Sequence, residues 1–237
     1  MVKRKKVTKK NVSSDFVPDR DWPPIVKPHK KTSKAKTKIA FVLDETASMM
    51  SCKDKAISGF NEYITTLQQK DKGFTLTLTR FNTLYIKKDF VDKPIKDIPL
   101  LDKDTYRPDA CTPLYDAIGK TINELQGETK ILFIVLTDGE ENSSKEFNKD
   151  SISKLIKEKE TIGWEFVFLG ADYKSYDDAW KVAYMAGFSG SGSVCAFSTS
   201  DFVLTMSNLA NQTVSYSVGD TQKGKFFKTN QDEKDMS

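Results

Sequence analysis

Two carboxylates and three hydroxyls stand where they could hold a hard cation. Asp44-Glu45-Thr46-Ala47-Ser48 follows directly on the apolar run Lys38–Leu43, and Asp138-Gly139 follows directly on a second strand-like run, Lys130–Thr137. Thr112 precedes Pro113 at the head of a segment with helical apolar spacing. Asp44, Thr46, Ser48, Thr112 and Asp138 together form an all-oxygen donor set with no nitrogen or sulfur in it. Such donors suit Mg²⁺, Mn²⁺ or Ca²⁺ and disfavour zinc or copper. Two carboxylates do not enclose a divalent ion, and Mg²⁺ tolerates that because it retains several waters. Glu45, Asp109, Glu140 and Glu141 are the further acidic residues expected on the rim of such a site.

Other chemistries find little support. The single histidine, His29, lies in a Pro/Lys-rich stretch, which argues against histidine catalysis and histidine ligation. Cys52, Cys111 and Cys195 are odd in number, far apart and without a Cys-x-x-Cys pair, which speaks against a disulfide framework or a zinc site and for a reducing compartment. Gly219–Lys225 matches the first seven positions of a phosphate-binding loop. Phe226 then stands where Ser or Thr is needed and no strand feeds into the loop, so no nucleotide cofactor is expected. Gly187-Phe188-Ser189-Gly190-Ser191-Gly192 has the wrong glycine spacing, and Thr46 occupies the second-aspartate position of an Asp-x-Asp phosphatase. Enzymatic activity is not expected; metal-assisted hydrolysis is the weaker alternative, with Glu45, Glu140 or Glu141 as its only candidate bases.

The elements that must position these residues alternate between strand and helix. Lys38–Leu43 reads as a central strand and Cys52–Gln69 as a helix with Ala56, Ile57, Phe60, Tyr63, Ile64 and Leu67 on one face. Phe74, Leu76 and Leu78 alternate with Thr75, Thr77 and Thr79, a strand with one polar face; the Asn82-Thr83 break then predicts a hairpin and an antiparallel edge strand over Leu84–Phe90. A helix is expected from Pro113, with Thr112 as its N-cap. Lys130–Thr137 follows as a strand, Phe147–Glu160 as a helix, Trp164–Leu169 as a strand and Asp172–Ala186 as a helix. Ser193–Phe197 is the last strand, and Asp201–Tyr216 the last helix, capped at Ser200. This order predicts an α/β fold: a doubly wound, mostly parallel six-stranded sheet with helices on both faces. Such sheets bind ligands beyond the carboxyl ends of their strands, where the strand order reverses. If the first and fourth strands are neighbours there, the three loops converge.

The three segments Phe41-Val42-Leu43-Asp44-x-Thr46-x-Ser48-Met49, Thr112-Pro113-Leu114-Tyr115-Asp116-Ala117-Ile118 and Leu136-Thr137-Asp138-Gly139 resemble the metal-ion-dependent adhesion site of von Willebrand factor A domains. The resemblance spans residues 38–217 and implies a Rossmann-like sheet with one antiparallel edge strand. It further implies one divalent cation, Mg²⁺ first, with Ser48, Thr46 and Thr112 offering hydroxyls and Asp44 and Asp138 acting directly or through water. A protein ligand with an acidic group would complete the metal shell. Thr46 stands where serine is commoner in the family, and Asp109-Ala110-Cys111 replaces a loop in which glycine is frequent. The segment around Thr112 is similar to bacterial and phage members that work as adaptors inside cells, which implies a cytoplasmic location, or the host cytoplasm for a phage protein.

Charge divides the chain. Residues 1–38 carry 13 Lys and Arg against 3 Asp, whereas the remainder carries 24 against 30 acidic residues. Residues 1–37 therefore read as a disordered basic arm, 38–217 as the domain and 218–237 as a polar tail. Lys3, Arg4, Lys5, Lys6, Lys9 and Lys10 could contact phosphates, so nonspecific nucleic-acid binding through the arm, or a structural role, is the alternative function. No apolar run approaches the roughly 20 residues a membrane helix needs, so no membrane partner is expected.

Overall fold

Seven consecutive buried residues, Ile131–Thr137, form the strand that anchors the sheet, because an unbroken apolar run is stable only where both faces are covered. A computed structural model describes residues 37–70, 72–125, 127–128, 130–171, 176–188 and 193–220. In chain order the strands are β1 (Lys38–Asp44), β2 (Thr75–Asn82), β3 (Tyr85–Pro94), β4 (Ile131–Thr137), β5 (Glu165–Ala171) and β6 (Ser193–Phe197). The helices are α1 (Lys53–Lys70), α2 (Leu114–Glu124), α3 (Lys149–Thr161), α4 (Tyr176–Met185) and α5 (Phe202–Val218). The sheet runs β3-β2-β1-β4-β5-β6. All neighbours are parallel except β2 and β3, so the expected α/β architecture with one antiparallel edge strand is the fold observed.

The order reverses between β1 and β4, which pair in register from Lys38 opposite Ile131 to Leu43 opposite Leu136. Side chains alternate across β1, sending Phe41 and Leu43 to one face and Ala40 and Val42 to the other. The first face packs on α1 and α5, where the rings of Phe41 and Phe60 meet edge to face at 5.4 Å. The second packs on α2, α3 and α4, around Phe133, Trp164 and Phe166. Fully burying one such aromatic or branched side chain stabilises the fold by about 1.5–3 kcal/mol.

Three details differ from the sequence reading. Every residue of β2 is buried, so its threonine face is not solvated. Those hydroxyls find partners instead: Thr121 on α2 donates to Thr79 at 3.0 Å, and Thr77 accepts from the Asp92 amide at 3.0 Å. The first helix begins as a 3₁₀ segment, Ala47–Cys52, before α1 proper. Ser200 does not cap the last helix; it lies within a 3₁₀ turn, Thr199–Asp201, and its hydroxyl bonds Ser198 at 2.6 Å. The hairpin is where expected, with the Asn82 carboxamide oxygen accepting from the amides of Leu84 and Tyr85 at 2.9 and 3.1 Å.

Candidate functional site

Asp44 ends β1, and Asp138 follows the last residue of β4, so pairing of the two strands brings both loops to the same end of the sheet. Four oxygens then form a chain. The Thr112 hydroxyl donates to Thr46 Oγ1 at 3.3 Å, Thr46 Oγ1 and Ser48 Oγ share a hydrogen bond at 3.1 Å, and Ser48 Oγ donates to Asp138 Oδ1 at 2.7 Å. Asp44 lies beneath them. Its Oδ1 accepts from the Thr46 amide at 2.8 Å and its Oδ2 from the Thr137 hydroxyl at 2.5 Å. All five residues singled out from the sequence are thus joined directly or through one neighbour.

Burial grades outward across the cluster. Asp44, Thr46 and Thr112 are buried, Asp138 is half-buried and Ser48 is exposed. Burial pushes the Asp44 carboxyl up to about 7; its hydrogen bonds from Thr137 and Thr46 oppose that rise, and the nearby Asp138 charge adds to it. Gly139 leaves the opening clear, since a Cβ there would stand 3.2 Å from Ser48 Oγ and 3.6 Å from Thr112 Oγ1. Among the described residues no three His, Cys, Asp or Glu side chains gather as a ligand set, so any cation here would depend on hydroxyls for its coordination number. Two carboxylates, three hydroxyls and an open side fit a hard, partly hydrated ion such as Mg²⁺.

The loop carrying Thr112 is fastened from both sides. Ala47 donates to Ala110 O and Asp109 donates to Glu45 O, each at 3.0 Å, while Thr83 donates to Cys111 O at 3.1 Å. Ala110 takes up φ +65°, a left-handed conformation that explains why glycine would be suited to this loop. Below it, the buried Tyr106 donates its hydroxyl to Asp44 O at 2.5 Å.

The acidic residues expected on the rim separate into two kinds. Asp109 and Glu140 are exposed. Glu45 is not on the rim: it is 1% exposed, paired with Arg80 Nη1 at 3.1 Å, and accepts the Arg107 amide at 2.5 Å. A carboxylate removed from water needs such a partner, and Arg80 on β2 supplies it. Glu141 is half-buried, and both its oxygens are engaged: they accept the amides of Tyr115, Ser143 and Ser144 and the Ser144 hydroxyl at 2.6–2.9 Å. Thr112 does not cap α2, because its hydroxyl faces Thr46. Glu141 takes the Tyr115 amide, and Ser144 Oγ takes the Asp116 amide at 3.1 Å. Asp116, for which the sequence offers no cue to such a role, accepts the amides of Lys145, Glu146 and Phe147 on its carboxylate, each at 2.9 Å. Lys3, Arg4, Lys5, Lys6, Lys9 and Lys10 lie outside the described residues.

No family model matches this chain, and no curated protein sequence matches it. Solved structures do match its fold. A von Willebrand factor type A protein from Catenulispora acidiphila aligns at TM-score 0.52 and 9% identity, covering 76% of this chain and 43% of its own. The pilus adhesin SpaC from Lactobacillus rhamnosus GG aligns at TM-score 0.55 and 13% identity, covering 76% and 30%. Proximal thread matrix protein 1 from the mussel byssus aligns at 0.52 and 18%, covering 75% and 46%. This chain therefore spans less than half of each of those chains, and at these identities the likeness is one of fold.

Proposed function

We propose that this chain is a non-catalytic protein-binding module that works inside a cell and holds one divalent cation, Mg²⁺ first, on Asp44, Thr46, Ser48, Thr112 and Asp138. The observation that carries this reading is the meeting of three loops, from distant parts of the chain, in one oxygen cluster at the switch point of the sheet. Asp44 and Asp138 would supply the compensating charge, and the three hydroxyls would supply neutral donors. A divalent cation held by Asp44, Thr46, Ser48, Thr112 and Asp138 would supply a positive centre that a carboxylate of a partner protein could join in place of water. With Glu45 turned inward to Arg80 and Glu141 engaged by four donors, the rim opposes an acidic ligand less than the sequence alone implies. The same withdrawal disfavours hydrolysis, since of the three candidate bases only Glu140 stays exposed.

Thermal melting in Mg²⁺ and in EDTA, for the parent and Asp44→Ala, tests the cation. A ligand at 100 times its Kd stabilises the native state by about 2.7 kcal/mol. The parent is expected to melt higher in Mg²⁺ and Asp44→Ala is expected to show no such rise. Pull-downs under the same conditions then test the partner: a protein retained by the parent only with Mg²⁺ supports capture through the metal. Equal retention in EDTA removes that part of the proposal.

A further inference from the structure

The helix that follows Thr112 poses a competition for one hydroxyl. A threonine ahead of a helix ordinarily turns its oxygen to the amide two or three residues on, here Leu114 or Tyr115. A hydroxyl used in that way would turn from the cluster. The Tyr115 amide is already taken, at 2.9 Å, by Glu141 Oε2. The next amide, Asp116, is taken by Ser144, whose hydroxyl donates to the same Glu141 oxygen at 2.6 Å. A carboxylate at a helix N-terminus is also favoured by the helix dipole.

We propose that Glu141 is a positioning residue for the cation site, capping α2 in place of Thr112 and so leaving the Thr112 hydroxyl to face Thr46. The proposal rests on the reading that the oxygen cluster holds a divalent cation. Glu141 belongs to the loop that begins at Asp138, so a single segment supplies one site oxygen and orients another. Two further bonds keep the segments in step: the Thr112 amide donates to Asn142 Oδ1 at 2.9 Å, and the Asn142 amide donates to Thr112 O at 3.1 Å. Asp116 closes the clasp from the other side through the amides of Lys145, Glu146 and Phe147.

A merely structural Glu141 and a positioning Glu141 differ in how their loss combines with loss of the Thr112 oxygen. Mn²⁺ affinity is measured by calorimetry on the full chain for the parent, Glu141→Ala, Thr112→Val and the double variant, with circular dichroism checking that each is folded. Outer residues that orient metal ligands typically change affinity by about 10–100-fold. Glu141→Ala is expected to weaken Mn²⁺ binding within that range, and the double variant to bind no more weakly than Thr112→Val alone, because both changes act through one oxygen. Should Glu141→Ala not fold, the same cycle is read with Glu141→Gln, which keeps one acceptor oxygen; a smaller loss is expected, absent when Thr112 is Val. Losses that multiply in the double variant, or parental affinity in the single Glu141 variant that folds, overturn the proposal and leave the cation reading intact. A parent that binds no Mn²⁺ overturns both.

Discussion

Ala110 sits at φ +65° in the loop that delivers Thr112, where an L-residue's Cβ crowds the following carbonyl at a cost of about 1–2 kcal/mol. Glycine relieves that crowding but adds about 0.4–1 kcal/mol of unfolded-chain freedom. Ala110→Gly should therefore stabilise the protein by roughly 1 kcal/mol, or about 2–4 °C in Tm for a chain of this size. A melt in EDTA checks this, and a lowered Tm would mean that the left-handed turn costs nothing here. The five residues of the oxygen cluster could be picked out together because they lie at or just past the end of a strand or near the start of a helix, positions marked by local pattern. The fates of Glu45 and Glu141 were not. Glu45 pairs with Arg80 35 residues away, and Glu141 takes an amide 26 residues away. Contacts of that kind leave no periodicity in the chain, and an acidic residue reads the same whether it faces water or a buried guanidinium.

At the scale of elements, the strands were legible from their apolar runs and the edge hairpin from Asn82-Thr83. What stayed hidden was how closely the helices approach. Gly59 on α1 faces Phe202 on α5 so tightly that a Cβ would lie 2.4 Å from the ring's Cδ1. Phe202 is fully buried and held edge-on by Phe197 at 4.8 Å, so the ring has little room to yield. Gly59→Ala should cost about 1–3 kcal/mol despite the better helix propensity of alanine, which a urea denaturation curve would reveal. An unchanged midpoint would show that α5 moves away freely. The all-buried β2 has a related cause: threonine is polar in sequence, yet a hydroxyl satisfied by another threonine is readily buried.

For the molecule as a whole, the division of charge was legible by counting. Removing residues 1–37 takes away 12 Lys and Arg and 3 Asp, which shifts the formal charge from +4 to −5. If the arm carries the alternative activity, the full chain should bind duplex DNA in a salt-sensitive way and the shortened chain should not, as read by fluorescence anisotropy across a salt series. Equal binding by both would assign any such affinity to the domain. Among the described residues no helix is long and apolar enough to cross a membrane.

Ser48 and Asp138 stand 90 residues apart in the chain, and their bond exists only when β1 lies against β4. During synthesis, no nascent chain shorter than residue 138 contains the whole cluster, however early β1 and α1 take shape. A cation would therefore arrive after the central strands have joined. It would act as a lock on a finished sheet rather than as a seed for it, so chelation should hasten unfolding more than it slows refolding.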